Sequence, residues 1–194
     1  FVDQETNQEI HLVIQRTTEN SKRVFSDIED IWKADITRLT GRITSSNRLA
    51  GAFEAAGESA DPQTLLEASV YEFKLAGLAN NLAIFADPDG RPAVAIVDGK
   101  PVDWTENLDL SNYHSGSQDN VLSYKVFNDR LYAVSVIPLK IFNNPVGLLE
   151  LGILIDKGVC EKLNNVIEGE VYFISGGTII VKSETLNDNA VEAE

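Results

Sequence analysis

At 194 residues the chain is long enough for one sizeable core, or for one core with a helical appendage. Its 43% apolar and 24% charged residues are those of an ordinary globular protein. A formal net charge of −14 argues against docking on a nucleic-acid backbone or an anionic membrane surface, since both demand clustered Lys and Arg. The chain has no methionine and opens Phe1-Val2-Asp3, so a cut piece of a longer protein or a processed form is expected. No stretch approaches the roughly 20 apolar residues of a membrane-spanning helix, and no signal peptide is present. The single Cys160 cannot form an internal disulfide, belongs to no metal-ligand spacing, and reads as a small buried helix residue.

From Phe1 to about Leu49 the pattern is helical. Ile10, Ile14, Thr17, Ser21, Val24, Ile28 and Ile31 fall at alternating steps of four and three, a heptad-like seam with a weak middle. Two uses are open: the helix lies on its own domain, or it also pairs with its copy through Ile10, Ile14, Val24, Ile28 and Ile31. Beyond that seam the phase shifts to Ile36, Leu39 and Ile43. Ala50 to Ala60 is small and loose, with Gly51 and Gly57. Asp61 and Pro62 restart a helix as N-cap and first helical residue, running to about Leu78.

Leu82–Ala86 and Ala93–Val97 are predicted strands joined by Asp87-Pro-Asp-Gly-Arg-Pro92. The two aspartates invite a calcium reading, but the twelve-residue loop with its closing Glu is absent. Asp98 to Pro101 is a turn, and Val102 to Asn120 an irregular polar segment carrying Trp104, Tyr113 and His114; a loop of that length is usually functional or mobile. Val121–Phe127 and Arg130–Pro138 form a hairpin, the second strand ending at its proline. Val146–Ile155 is another strand, broken by Gly152, and Asp156 caps a short helix through Val166. Glu170–Ser175 and Thr178–Lys182 flank the hairpin signal Gly176-Gly177. Short connections between successive strands predict an antiparallel sheet flanked by helices, an α+β fold. Residues 184–194 read as an acidic tail.

No Walker loop, GxGxxG, HExxH, CxxC or GxSxG occurs, so neither a catalytic constellation nor a cofactor or metal is expected. Glu150 stands mid-strand among leucines and either faces solvent or reaches into a pocket or interface. Trp104, Tyr113, Tyr124, Arg130 and Tyr132 are the candidate lining of a cleft between the sheet and the 102–120 segment. There the Arg130 fork would suit a small organic acid.

Leu-Ala-Ile-Phe-Ala-Asp-Pro-Asp-Gly-Arg-Pro at 82–92 resembles the first hairpin of PAS-like extracytoplasmic sensor domains. Leu-Tyr-Ala-Val-Ser-Val-Ile-Pro-Leu at 131–139 resembles the strand ending in V-P-L in the Cache family, and 145–156 is similar to that family's next strand. Val171 to Lys182 is similar to its closing hairpin. The resemblance implies a long N-terminal helix and a second helix, over residues 1–80, packed on a PAS-like sheet of about five to seven strands at 81–183. It further implies the periplasmic, small-molecule-sensing part of a bacterial receptor, homodimeric when full-length and tethered through flanking membrane segments. The output module would be a histidine kinase, a nucleotide or diguanylate cyclase, or a chemoreceptor. Two alternatives stay open: a cytosolic PAS- or GAF-like regulatory module, and a ligand-free dimerisation domain.

Overall fold

In the computed structural model the described residues are 2–59, 62–78, 81–111, 113, 121–141, 144–167 and 170–183, and side chains at 2–17, 54, 56–59, 62, 141 and 144–145 lie outside the description. The elements are α1 (Val2–Thr44), α2 (Asn47–Ser59), α3 (Pro62–Leu75), β1 (Leu82–Ala86), β2 (Pro92–Val97), β3 (Lys100–Val102) and β4 (Ser123–Phe127). They continue with β5 (Arg130–Ile141), β6 (Asn144–Ile155), α4 (Lys157–Ile167), β7 (Tyr172–Ser175) and β8 (Thr178–Lys182). The chain divides into two compact units, Trp32–Leu154 and Phe1–Ile31 with Ile155–Glu194.

The larger unit holds an antiparallel sheet in the order β3-β2-β1-β6-β5-β4. β1 is central: Ile84 stands opposite Ala95 of β2 and Glu150 of β6. Its five residues are all buried, because one face lies under helices and the other under a loop. Side chains alternate across a strand. Ala83, Phe85, Val94, Ile96, Leu149 and Leu151 therefore meet Ile36, Leu39, Ile43, Leu49, Leu65 and Phe73 of the helices. Leu82, Ile84, Ala95, Tyr132, Val134 and Leu148 point the other way, toward Trp104, Leu108, Leu110 and Tyr113.

The helices are closed by local chemistry. Ser46 Oγ accepts from the Leu49 N–H (3.2 Å) as the N-cap of α2, and donates to Glu72 of α3 (2.7 Å). At the end of α3, Leu78 N–H donates to Phe73 O (3.2 Å) and Gly77 N–H to Lys74 O (3.1 Å). With Gly77 at φ +73°, that is a Schellman stop whose hydrophobic contact joins Leu78 to Phe73. Asp61, the expected cap of α3, lies outside the described residues.

Four features differ from the sequence expectation. Residues 50–59 are helical, because the Ser46 cap and the seating of Leu49, Ala52 and Phe53 in the helix-side core outweigh Gly51. Gly147 makes this fit possible, since a Cβ there would meet Ala86 O at 2.6 Å and Phe53 Cε1 at 2.9 Å. A short β3 occupies part of the expected loop, folded back onto β2 by Asp98-Gly99 at φ +53° and +70°, a two-residue hairpin turn. β5 runs through Pro138 to Ile141: β4 pairs with it only as far as Val134, so a proline beyond that point need not cost a ladder bond on that side. β7 and β8 form their own two-stranded sheet and do not extend the six-stranded one.

In the smaller unit Asp156 caps α4, its Oδ1 accepting from the Val159 N–H at 3.1 Å. Phe25 of α1 packs on Phe173 of β7, with ring centroids 6.2 Å apart. Cys160 is buried in α4, and burial pushes its thiol up to about 11, which suits an inert packing residue. Val24 and Ile28 are partly buried within the chain itself and Ile31 is exposed; the side chains of Ile10 and Ile14 lie outside the described residues. Among the described residues no helix is long and apolar enough to cross a membrane.

Candidate functional site

The sheet face turned away from the helices carries the polar chemistry. It is covered by the segment after β3, which is irregular yet anchored. Leu108 N–H donates to Gly90 O (2.9 Å), and Leu108 and Leu110 pack over Gly90, whose left-handed φ of +83° favours glycine. Asp109 Oδ1 accepts from Ser111 N–H (2.9 Å), and bonds from Ser111 hold the Asp109 carboxyl below the usual carboxylate range. Trp104 Nε1 donates to Glu106 O (2.9 Å), and its ring tilts on Phe127 with centroids 4.7 Å apart. On the sheet itself Gly152 lets its neighbours pack close, since a Cβ there would come within 2.9 Å of Val134 Cγ1 and 3.1 Å of Leu82 Cβ.

Two ion pairs cross this face. Lys125 Nζ on the edge strand β4 lies 2.5 Å from Glu150 Oε1 on β6, with β5 between them. The Glu150 side chain is 2% exposed and that of Lys125 is 20% exposed. The Lys125 ammonium also sits 5.1 Å from the Trp104 ring centroid, within range of its π face. Arg130 Nη1, at the start of β5, lies 2.5 Å from Asp98 Oδ2 at the β2–β3 turn, although β1 and β6 separate the two strands. Asp98, Asn128 and Asp129 all have left-handed φ, so the β2–β3 and β4–β5 hairpin turns bring the two charges into place.

Burial pushes the Glu150 carboxyl above its ordinary value, against the opposing hydrogen bond and charge of Lys125. A raised folded-state pKa means stability that is present below the unfolded value and lost as pH rises through the folded one. Glu150→Gln cannot ionise, so it is expected to gain stability relative to the parent as pH rises above the ordinary 4.5. Melting temperatures across pH check this; parallel curves for the two proteins would contradict it.

Tyr132 is fully buried in the same cluster, with the Arg130 guanidinium 5.7 Å from its ring centroid. Its hydroxyl has no hydrogen-bond partner among the described residues, and burial raises its pKa. Tyr132→Phe is therefore expected to leave stability unchanged or raise it by about 1 kcal/mol, because it removes an unpaired buried polar group. Urea unfolding measures this, and a clear loss would mean that the hydroxyl is satisfied.

Of the residues predicted from sequence, Trp104, Tyr113, Arg130 and Tyr132 gather at this face. Tyr124 does not. It stands opposite Ala133, one step out of phase with the Lys125–Tyr132 pair, so it points to the other side and is 43% exposed. Arg130 is engaged by Asp98, and His114 lies outside the described residues. Asp87 and Asp89 fasten their own turn: Asp87 Oδ1 accepts from the Asp89 and Arg91 N–H groups at 2.9 and 2.8 Å. Lys125 and Asp98 were missed, and Glu150 was open between two readings. An open groove of about 690 Å³ runs along β2 and β3 from Leu66 of α3 up to Trp104.

No protein-family model and no curated protein matches the chain. Among solved structures it is similar to a domain from Vibrio parahaemolyticus described as a sensory box/GGDEF family protein, at 14% identity and TM-score 0.46, over 83% of this chain and 64% of that one. It is similar also to the extracellular domain of vpHK1S-Z8, described as a histidine kinase, at 16% identity and TM-score 0.44, over 83% and 61%. A third is the periplasmic domain of Vibrio cholerae LuxQ, at 13% identity and TM-score 0.45, over 89% and 81%. The chain thus spans less than two thirds of the first two structures.

Proposed function

We propose that this chain is the extracytoplasmic ligand-sensing domain of a bacterial membrane receptor, binding a small molecule on the sheet face beneath Trp104. The observation that carries the reading is a polar cluster where packing alone would place leucines. The Lys125–Glu150 pair and the unpartnered Tyr132 hydroxyl lie on one inward face, under an irregular segment. Such groups contribute little to folding, since a buried ion pair rarely stabilises more than the apolar residues that would replace it. Clustered polar groups on a concave apolar face are what a ligand site requires. The extracytoplasmic placement, the membrane tethers and the separate output module come from the motif resemblance at 82–92, 131–139 and 145–156.

A ligand that favours one arrangement of the 102–113 cover over another shifts the population of the two. β6 carries Glu150 and passes at Leu154–Ile155 from one compact unit into the other, as α1 does at Ile31–Trp32. These two chain crossings are the proposed route of the signal, with the α1 seam serving dimerisation in the full receptor. A thermal-shift screen against amines, amino acids, organic acids and purines tests the reading. Concentration-dependent stabilisation by one class supports it; silence across every class would favour a domain that only dimerises.

A further inference from the structure

We infer that the ligand class of this face is a primary ammonium ion, and that in the free chain its seat on Glu150 and Trp104 is filled by Lys125. The inference rests on the sensing reading above and names the chemistry of its site. An ammonium is recognised by a carboxylate on one side and an aromatic face on another. The structure holds that arrangement, with Lys125 Nζ 2.5 Å from Glu150 Oε1 and 5.1 Å from the Trp104 ring centroid.

The two partners of the pair are not equally free to leave. Glu150 is 2% exposed on an inner strand, on a short side chain flanked by leucines. Lys125 is partly exposed, stands on an edge strand, and has a flexible four-carbon stem that can carry its charge out to water. A carboxylate ligand taking Lys125 would strand Glu150 as an unpaired buried charge. An ammonium ligand exchanges one cation for another and leaves Glu150 paired throughout. The second cation of the face, Arg130, is already held by Asp98. Asp109 adds to the negative field at Glu150, and Trp104, the aromatic partner of the seat, also lines the open groove along β2 and β3. A net charge of −14 further favours cations over anions in the encounter.

Calorimetric titration of the whole chain with butylammonium and 1,4-diaminobutane, beside butyrate and succinate, tests this on three proteins. The parent should bind the amines and not the acids. Glu150→Gln keeps the shape and the bond to Lys125, and should lose amine affinity by about ten-fold or more, as expected when a charged partner is removed. Lys125→Ala removes the resident competitor and should raise amine affinity by a similar factor. If Glu150→Gln instead gains affinity for the acids and Lys125→Ala loses it, the ammonium inference is overturned while the sensing reading stands. Amine binding equal in parent and Glu150→Gln also overturns it, because the site then lies elsewhere. If neither class binds any folded variant, the ammonium inference falls, and the sensing reading is then decided by the wider screen described above.

Discussion

Lys125→Met is expected to destabilise the folded chain by about 3–5 kcal/mol at neutral pH, the cost of breaking a buried pair by removing one partner. The expectation rests on asymmetry. Lys125 sits at a sheet edge and loses little when removed, whereas Glu150 stays 2% exposed beneath Trp104, with Lys125 its one ion-pair partner among the described residues. Without the lysine only burial and the charge of Asp109 act on Glu150, and both push its pKa up. The carboxyl then escapes the penalty by taking a proton, so the deficit of Lys125→Met should shrink as pH falls. Replacing both partners, as in Lys125→Met with Glu150→Met, should restore the parent stability or exceed it. Urea unfolding of the four proteins at pH 7 and pH 5 closes the cycle. A single-variant loss under about 1 kcal/mol would mean that the pair behaves as an exposed surface bridge.

Phe85→Ala is expected to cost about 3–5 kcal/mol by a different route, a cavity in the opposite face of the same sheet. Phe85 is fully buried on β1, stands between Val94 of β2 and Leu149 of β6, and meets Phe53 of α2 at a centroid distance of 6.2 Å. Its ring helps hold the helical layer to the sheet. Because Phe85 and Glu150 point to opposite faces, the variant should keep its ligand affinity at temperatures where it remains folded. A drop in the urea midpoint with unchanged titration constants is the expected pair of results. A loss of affinity without a loss of stability would contradict this assignment of faces.

The fold was largely legible in the chain because its strands are punctuated by residues with strong local demands. Asp87-Pro-Asp-Gly90, Asp98-Gly99, Asn128-Asp129 and Gly176-Gly177 all mark the turns seen, and Leu82–Ala86 and Val146–Ile155 stand out as short apolar runs. Where reading failed, a tertiary contact had overridden a local signal. Gly51 reads as a break, yet Leu49, Ala52 and Phe53 on either side of it hold α2 against the sheet. Pro138 reads as a strand end, yet it lies past the last residue that β4 covers.

The site was legible in part. Trp104, Tyr113, Arg130 and Tyr132 drew attention as aromatic and cationic groups near an irregular segment, and they do share a face. Tyr124 was included for its chemistry alone, and strand parity removes it. Parity also held an unused signal. Glu150 is in phase with Leu148 and Leu154, which face the loop-side core, so its inward direction follows once those leucines are taken as core. The pairing with Lys125 does not follow from the chain, because it depends on β4, β5 and β6 lying side by side in that order.

The most direct test is the indole N–H spectrum of the isotope-labelled chain, which has only two tryptophans to report. Trp104 donates its N–H to Glu106 beside the proposed ligand seat, whereas Trp32 is buried on α1. A compound that stabilises the chain should move the Trp104 signal in proportion to occupancy and leave the Trp32 signal in place. A stabilising compound that leaves Trp104 unmoved would contradict the site, and with it the sensing role assigned to this face.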